Sequence, residues 1–373
     1  MPSCSASRRF LLLAAILTVG SVGFAQAPEQ RIRDVAVTMV GPLTGPDAAE
    51  AMREVDVCGT DIGTMTELDG RIYLAFGDTF GFRGEACPRF GPNWRSNTLA
   101  ATSDVDPSDG VDIDWWLTDR RGRAVAVTEG AHQPAFTYPA GEQTRIPTAM
   151  VTVGDRLYMH FMSVHGFAQQ GGVWSCNYSR FVFSDDAGAS WREGPDVFGR
   201  RDADINMLAL SHERGVGNEA GDYVYALATP CGRFGGARPA RVASDAVLHR
   251  SAWEFLTAVA ADGEAIWGPD EDAALEVVEA PVGEGSILWN SHLERWMYTY
   301  LNEHTRALEL REAEFPWGPW SEPHTLALAG DYPMLYGAFM TPSYLQDDGH
   351  TLYFVMSMFG PYNTFIMAAS LTW

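Results

Sequence analysis

Two aspartates have the type and setting to do chemistry. Asp61, in Cys58-Gly59-Thr60-Asp61, opens one apolar stretch, and Asp78, in Phe76-Gly77-Asp78-Thr79-Phe80, closes the next. If the two stretches are adjacent antiparallel strands, these positions fall at the same end and bring two carboxylates together. Carboxylates sharing a partly desolvated site have their pKa values pushed apart, so that one serves as acid and the other as base or nucleophile. Glycosidic bond cleavage needs such a pair. An Asp after Gly or before Thr is also an ordinary turn residue that bonds its own backbone; what favours a site is the pairing, flanked by small residues that let a ligand approach. Glu284, in Gly283-Glu284-Gly285-Ser286, is a candidate third carboxylate or else a solvated turn. Around these stand residues able to hold a sugar through charged donors, planar amides, hydroxyls and aromatic faces: Arg95, Asn97, Thr148, His165, Asn177, Asn290, Tyr336, Tyr362 and Asn363. His165 is equally of the kind that only hydrogen-bonds within a fold.

The elements that must position these groups read as strands. Gly (37) and Pro (21) are frequent, aromatics reach 12%, and apolar runs of four to eight residues are broken by turn dipeptides, which is strand rather than helix texture. A segment ending in an apolar residue and Tyr recurs at Tyr73, Tyr158, Tyr225, Tyr298 and Tyr353. Each copy has an apolar stretch before it, at 60–67, 147–153, 205–210, 286–289 and 337–344, and another after it, at 97–103, 180–184, 246–250, 307–313 and 365–371. Three antiparallel strands repeated five times predict an all-β, single-domain, five-bladed β-propeller over 55–373. A β-sandwich has a similar number of strands but does not require a fivefold recurrence. Ser184-Asp185-Asp186-Ala187-Gly188-Ala189-Ser190-Trp191 falls where a third strand would turn into a fourth. The segment 28–54 contains an alternating stretch at 31–40 that could complete the last blade, hiding an edge that otherwise invites aggregation.

Composition narrows the chemistry further. All 26 basic residues are Arg, so no lysine is present to act as a phosphate-loop residue, Schiff base or general base. The formal charge of −22 disfavours nucleic acid and anionic membranes, whose binding rests on neutralising phosphate; a neutral polysaccharide is the expected partner, and the chain is expected to be monomeric. Arg8 and Arg9, an apolar run at 10–24 and small residues at Ala25 and Ala27 form a signal-peptide pattern over 1–27. Ser7-Arg8-Arg9-Phe10-Leu11 leaves ordinary and twin-arginine export both open, and the mature protein is expected to be secreted or periplasmic. Four cysteines remain after such processing. They allow three connectivities, of which Cys58–Cys87 and Cys176–Cys231 are favoured because each pair flanks one or two adjacent repeats; no C-x-x-C spacing supports zinc. The acidic run from Asp104 to Gly110 misses the calcium-loop pattern and reads as a hairpin turn. Trp115, Trp116, Trp317 and Trp320 could be sugar platforms, although outer-strand Trp mostly packs between blades. No metal and no cofactor are expected.

Seven motifs in order carry a resemblance: Cys58-Gly59-Thr60-Asp61, Phe76-Gly77-Asp78-Thr79-Phe80, Trp94-Arg95-Ser96-Asn97, Asp104-Val105-Asp106-Pro107-Ser108-Asp109-Gly110, Ile146-Pro147-Thr148, Asn177-Tyr178-Ser179 and Gly360-Pro361-Tyr362-Asn363. From about Asp56 to the C-terminus the chain resembles the family known as domain of unknown function 4185. Its characterised members look like endo-D-arabinanases of glycoside hydrolase family 183. The resemblance implies a five-bladed propeller with two catalytic aspartates in the first blade, at positions matching Asp61 and Asp78. It further implies cleavage of furanosidic linkages in an arabinan-like polysaccharide. A non-catalytic carbohydrate-binding propeller of the cell envelope is the alternative.

Overall fold

A computed structural model describes residues 30–48, 51–212, 221–261 and 263–373. The expected leader, 1–27, lies outside these residues. The chain forms a five-bladed β-propeller. Blade 1 comprises Ile62–Leu68, Arg71–Phe76, Thr98–Thr102 and Trp115–Trp116; blade 2 comprises Thr144–Val153, Arg156–Phe167, Trp174–Ser184 and Arg192–Arg200. Blade 4 runs through Gly285–Asn290, Arg295–Asn302, Ala307–Ala313 and His324–Leu328. Blade 5 comprises Leu335–Gln346, Thr351–Met358, Asn363–Thr372 and, as its outer strand, Asp34–Pro42 from the other end of the chain.

The repeated tyrosine marks the same place each time. Tyr73, Tyr158, Tyr225, Tyr298 and Tyr353 all lie on second strands and all are buried. A tyrosine here packs its ring between sheets, as Tyr225 does edge-on to Trp296 of blade 4, with 6.1 Å between ring centroids. The turn from Ser184 to Trp191 joins the third and fourth strands of blade 2. Ser184 Oγ accepts from the Gly188 amide, Asp186 accepts from the Ser190 amide and hydroxyl, and Trp191 Nε1 donates to the Gly188 carbonyl. Gly188 has φ +85°, and a Cβ there would press on Leu99 and Tyr73, so the turn docks blade 2 onto blade 1 only with glycine at this point.

Blade 3 departs from the expected pattern. Its third strand is Gly235–Ala243, whereas the predicted stretch 246–250 falls in and beside the short 3₁₀ turns Ser244–Ala246 and Arg250–Ala252. The true strand has no apolar run because its neighbours leave little space: a Cβ at Gly236 would lie 2.1 Å from the Glu276 side chain. Three further strands, Glu254–Val259, Ala265–Gly268 and Val278–Val282, complete this blade around Met207–Ser211, Tyr223–Thr229 and Gly235–Ala243.

Innermost strands of a propeller leave their axis-facing amides unpaired by any sheet, and a buried amide needs a partner. Hydroxyls from the preceding blade supply it: the Met150 amide donates to Thr64 Oγ1 (3.2 Å), Leu208 to Thr148 Oγ1 (3.3 Å) and Met340 to Ser286 Oγ (3.1 Å). The ring is closed by Asp34–Pro42 lying antiparallel on Asn363–Thr372, with Val37 opposite Ala369. Just before it, Glu312 Oε1 of blade 4 accepts from the Arg31 and Ile32 amides at 2.8 and 2.6 Å. Disulfides join Cys58 to Cys87 and Cys176 to Cys231. Among the described residues no helix is long and apolar enough to cross a membrane.

Removing residues through Pro42 should expose the edge of Asn363–Thr372 and leave blade 5 with three strands. Size-exclusion chromatography of the truncated chain is expected to show self-association, with a lower thermal midpoint than the mature protein; a monodisperse chain of unchanged midpoint would contradict this role for the closing strand.

Candidate active site

The two aspartates sit at the end of the ring where first strands begin and second strands end. Asp61 immediately precedes Ile62–Leu68, and Asp78 follows Arg71–Phe76 by two residues. Their backbones are fixed by short-range pairing. Phe80 and Gly59 exchange amide bonds, as do Thr79 and Arg95, and a buried line of hydroxyls joins Thr60 to Thr79 (2.7 Å) and Thr79 to Thr98 (3.0 Å). The Cys58–Cys87 bond ties the 81–95 loop to the segment that carries Asp61. Gly77 is required by contact rather than by backbone angle: a Cβ there would lie 2.2 Å from Asp61 Oδ1.

Both carboxylates open on one cavity of about 720 Å³, which Glu284, Tyr336 and Tyr362 also line. Asp61 Oδ2 accepts from the Tyr336 hydroxyl at 2.7 Å, the nearby Tyr362 also favours the charged form of this carboxylate, and Oδ1 is buried without a partner. Asp78 Oδ1 accepts both Trp94 Nε1 (2.6 Å) and Thr144 Oγ1, so a proton on this group resides on Oδ2. Burial is the main cause that pushes Asp61 up to about 7 and Asp78 up to about 8. The two tyrosines and Arg233 pull Asp61 back down. At Asp78 the bonds from Thr144 and Trp94 are opposed by the negative charges of Asp61 and Glu129. At neutral pH both carboxyls therefore hold a proton far more readily than an exposed aspartate does, and the negative charge of either one raises the proton affinity of the pair.

Glu284 is not a solvated turn. Arg233 grips it through two bonds of 2.8 Å, reaches Glu303 with a third of 3.0 Å, and lays its guanidinium 4.9 Å from the Tyr336 ring centroid. The two glutamates hold Arg233 firmly protonated despite its burial. Arg233 is thus committed to two glutamates, while Arg306, a second arginine, lines the same cavity. Aromatic rings form its walls: Trp94, Phe80 and Phe90 on the blade 1 side, Trp174 and Phe167 on the blade 2 side. Among the described residues no group of three or more His, Cys, Asp or Glu gathers to hold a metal ion.

Most of the expected sugar contacts lie elsewhere. Arg95 donates to the carbonyls of Asp56 and Ala124, and Asn97 makes four bonds to the backbone of Val127, Thr128 and Arg145. Thr148 bonds His160 Nδ1 and the Leu208 amide near the axis. Asn290 is at the opposite end of its strand, where it caps the turn through the His292 and Leu293 amides and donates to the Gly349 carbonyl. Asn363 is buried against Thr44 and Gly45. His165 and Asn177 both donate to the Gly141 carbonyl, outside the cavity. Trp116, Trp317 and Trp320 are buried in packing between sheets, and Trp115 is partly buried there. Of the sugar contacts only Tyr336 and Tyr362 face the cavity, together with all three acids. The reading from sequence missed Trp94, Thr144, Arg233 and Glu303. Trp94 adjoins Arg95, one place along, and Arg233 follows the disulfide Cys231 by two.

A family model for the domain of unknown function DUF4185 matches residues 47–368. The chain belongs to the DUF4185 family. Among solved structures, a protein from Bacteroides ovatus ATCC 8483, provisionally described as a hydrolase, superposes with a TM-score of 0.59 at 13% identity, over 85% of this chain and 87% of the other. The exo-β-1,3-galactanase of Phanerochaete chrysosporium superposes with a TM-score of 0.51 at 8% identity, over 89% of this chain and 64% of the other. At such identities the likeness shows the fold. No curated protein matches the sequence. In this DUF4185 chain the acids, their tyrosine and tryptophan donors and the Arg233 cluster all fall within the matched region.

Because both aspartates bind protons more tightly folded than unfolded, their stabilising protonation is complete below about pH 4 and is lost as pH rises through about 7 to 8. Asp78→Asn, neutral at every pH and still able to accept from Trp94 and Thr144, should therefore melt at least about 2–4 °C above the parent at pH 9, with the gap shrinking steadily as pH falls toward about 4. A difference in midpoint that does not change with pH would contradict the raised pKa. Gly77→Ala should destabilise by about 1–3 kcal/mol in urea unfolding, since the added methyl displaces Asp61 from its bond with Tyr336.

Proposed function

We propose that the protein is a glycoside hydrolase acting on a neutral polysaccharide, with an arabinan-like furanoside polymer as the first candidate substrate. The observation that carries this reading is the buried pair Asp61 and Asp78, coupled by charge and held by different donors, at the floor of an aromatic-walled cavity. The galactanase fold likeness and the family resemblance agree with it. The two disulfides, and the leader expected from sequence, agree with work outside the cytoplasm, where such polymers are found.

In this mechanism Asp78 is the acid. Its Oδ1 is occupied by Trp94 and Thr144, so Oδ2 delivers the proton to the glycosidic oxygen as the bond from that oxygen to the anomeric carbon breaks. Asp61 is the carboxylate partner: it either removes a proton from the attacking water or bonds to the anomeric carbon before water displaces it. Tyr336 and Tyr362 stabilise its negative form. Glu284, bound on both oxygens by Arg233, does not carry the proton; it fixes Arg233, which in turn supports Tyr336 and lowers the proton affinity of Asp61.

Chromatography of products after incubation with D-arabinan, L-arabinan and β-1,3-galactan tests the reading. Release of oligosaccharides is expected from a furanoside polymer, and Asp61→Asn and Asp78→Asn should each cut the rate by at least about 10²-fold while leaving the fold intact. The rate should peak between about pH 7 and 8, falling below as Asp61 takes up a proton and above as Asp78 loses one. Full activity in both variants would refute the assignment. Retention of a bound polymer without any cleavage would instead make this a binding propeller.

A further inference from the structure

The loop between Trp115–Trp116 and Thr144–Val153 passes, at 129–132, against both groups that donate to Asp78 Oδ1, without itself lining the cavity. One of these groups is Trp94. The His132 ring lies 4.0 Å from it between centroids, with 36° between the planes, and Phe80 also packs on it, at 5.9 Å and 22°. The other is Thr144. A Cβ on Gly130 would lie 2.9 Å from both Thr144 Cα and Ser96 Oγ, so only glycine lets the loop come this close.

One carboxylate ties the arrangement together. Glu129 Oε1 accepts from the Ser96 amide at 2.9 Å and from His132 Nε2 at 2.6 Å. A carboxylate only accepts, so the Nε2 proton of His132 is directed at Glu129. Ser96 is buried two residues after Trp94; its hydroxyl accepts the Gly130 amide at 2.9 Å and lies 3.0 Å from the same His132 nitrogen. The backbone behind the tryptophan and the ring against it are therefore held from one point. His132 also has φ +51°, an uncommon conformation for a residue with a Cβ, which persists only where the surroundings impose it. On the far side of the loop the Ala131 amide donates to Glu142 Oε1 at 3.2 Å, and Glu142 is itself paired with Arg145.

We infer that Glu129 and His132 are positioning residues for the acid: they fix the Trp94 indole so that its N–H stays on Asp78 Oδ1 and the proton to be transferred stays on Oδ2. This rests on the hydrolase reading above. Neither residue touches the substrate. With the indole free to turn, only Thr144 would mark Oδ1, and the proton would divide its time between two oxygens of which the mechanism uses one. The charged groups acting on Asp78 are Asp61 and Glu129. His132 faces Glu129, and Glu142 beyond it is committed to Arg145.

Kinetics on the furanoside polymer test the role. His132→Ala should lower kcat about tenfold with KM within about twofold, because the acid is misplaced and the lining is untouched. The Trp94 bond favours the charged form of Asp78, so its loss should also move the alkaline limb of the rate profile up by about 0.5–1 pH unit. Trp94→Phe should do the same, and His132→Ala should add nothing to it. His132→Phe, which keeps a ring against the indole, should restore part of kcat. Glu129→Gln can still accept both bonds and loses only the charge, so it should move the alkaline limb down. Additive losses in the double variant, or an unmoved limb in His132→Ala, would overturn the positioning role while leaving the hydrolase standing. Melting midpoints between pH 5 and 9 read Asp78 without substrate: the part of their fall that Asp78→Asn removes should lie at higher pH in His132→Ala. That shift in a protein that cleaves no polysaccharide would uphold the hold on Trp94 and overturn the hydrolase, whereas its absence would overturn the positioning role in either case.

Discussion

Placing two carboxylates beside each other in a dry site works against the fold, since each loses water and each repels the other. What tolerates this in the first blade is that the supporting groups come from around the ring. Trp94 arrives on a loop of blade 1, Thr144 from the first strand of blade 2, Tyr336 from the first strand of blade 5 and Tyr362 from the turn before its third. No single blade could assemble this set. The site consequently depends on closure of the ring, and closure depends on Asp34–Pro42 completing blade 5 and on Glu312 anchoring the residues before it.

Charge balance follows the same logic. A lone arginine beside Asp61 would hold that carboxylate ionised and make the cavity attractive to anions. Arg233 is instead committed to Glu284 and Glu303, so its influence on Asp61 is fully offset by that of Glu284, and burial remains the dominant cause of the raised pKa. With Arg306 also on the lining, the two arginines and the two glutamates Glu284 and Glu303 offset one another, which on a chain of formal charge −22 suits an uncharged ligand held by ring faces and hydroxyl bonds.

The blade count was legible because the tyrosine recurs in second strands that all pack alike, and because apolar strands buried on both faces stand out from their turns. Blade 3 failed at Gly235–Ala243 for the opposite reason: close neighbours force Gly and Ala into that strand and erase the apolar run by which strands are recognised. At the site, the acids were visible as residues adjoining strand ends. Trp94 and Arg233 were not, because they sit on loops whose direction is set by disulfides and by packing between blades. Nothing local in the sequence tells which end of a strand a polar residue occupies. Asn290 shows this, since it lies at the far end of a strand whose near end begins just after Glu284.

Three residues that resembled ligands and proved to be supports spend their polar groups on the fold, as Asp61 does not. Asn97 uses its amide on four backbone groups and has little left to offer a substrate. Thr148 spends its hydroxyl on a histidine and an amide, Asn290 its side chain on a turn and a facing carbonyl. Asp61 keeps Oδ1 buried and unpaired beneath Gly77 although two tyrosines are within reach of the group. Other buried side-chain atoms also lack a partner, Arg95 Nε and Trp116 Nε1 among them, but of the acids that line the cavity only Asp61 holds an oxygen buried in this state. Such an atom is where a reacting proton or a sugar hydroxyl has most to gain, and the same criterion explains why asparagines and threonines of identical apparent promise serve only to hold the blades together.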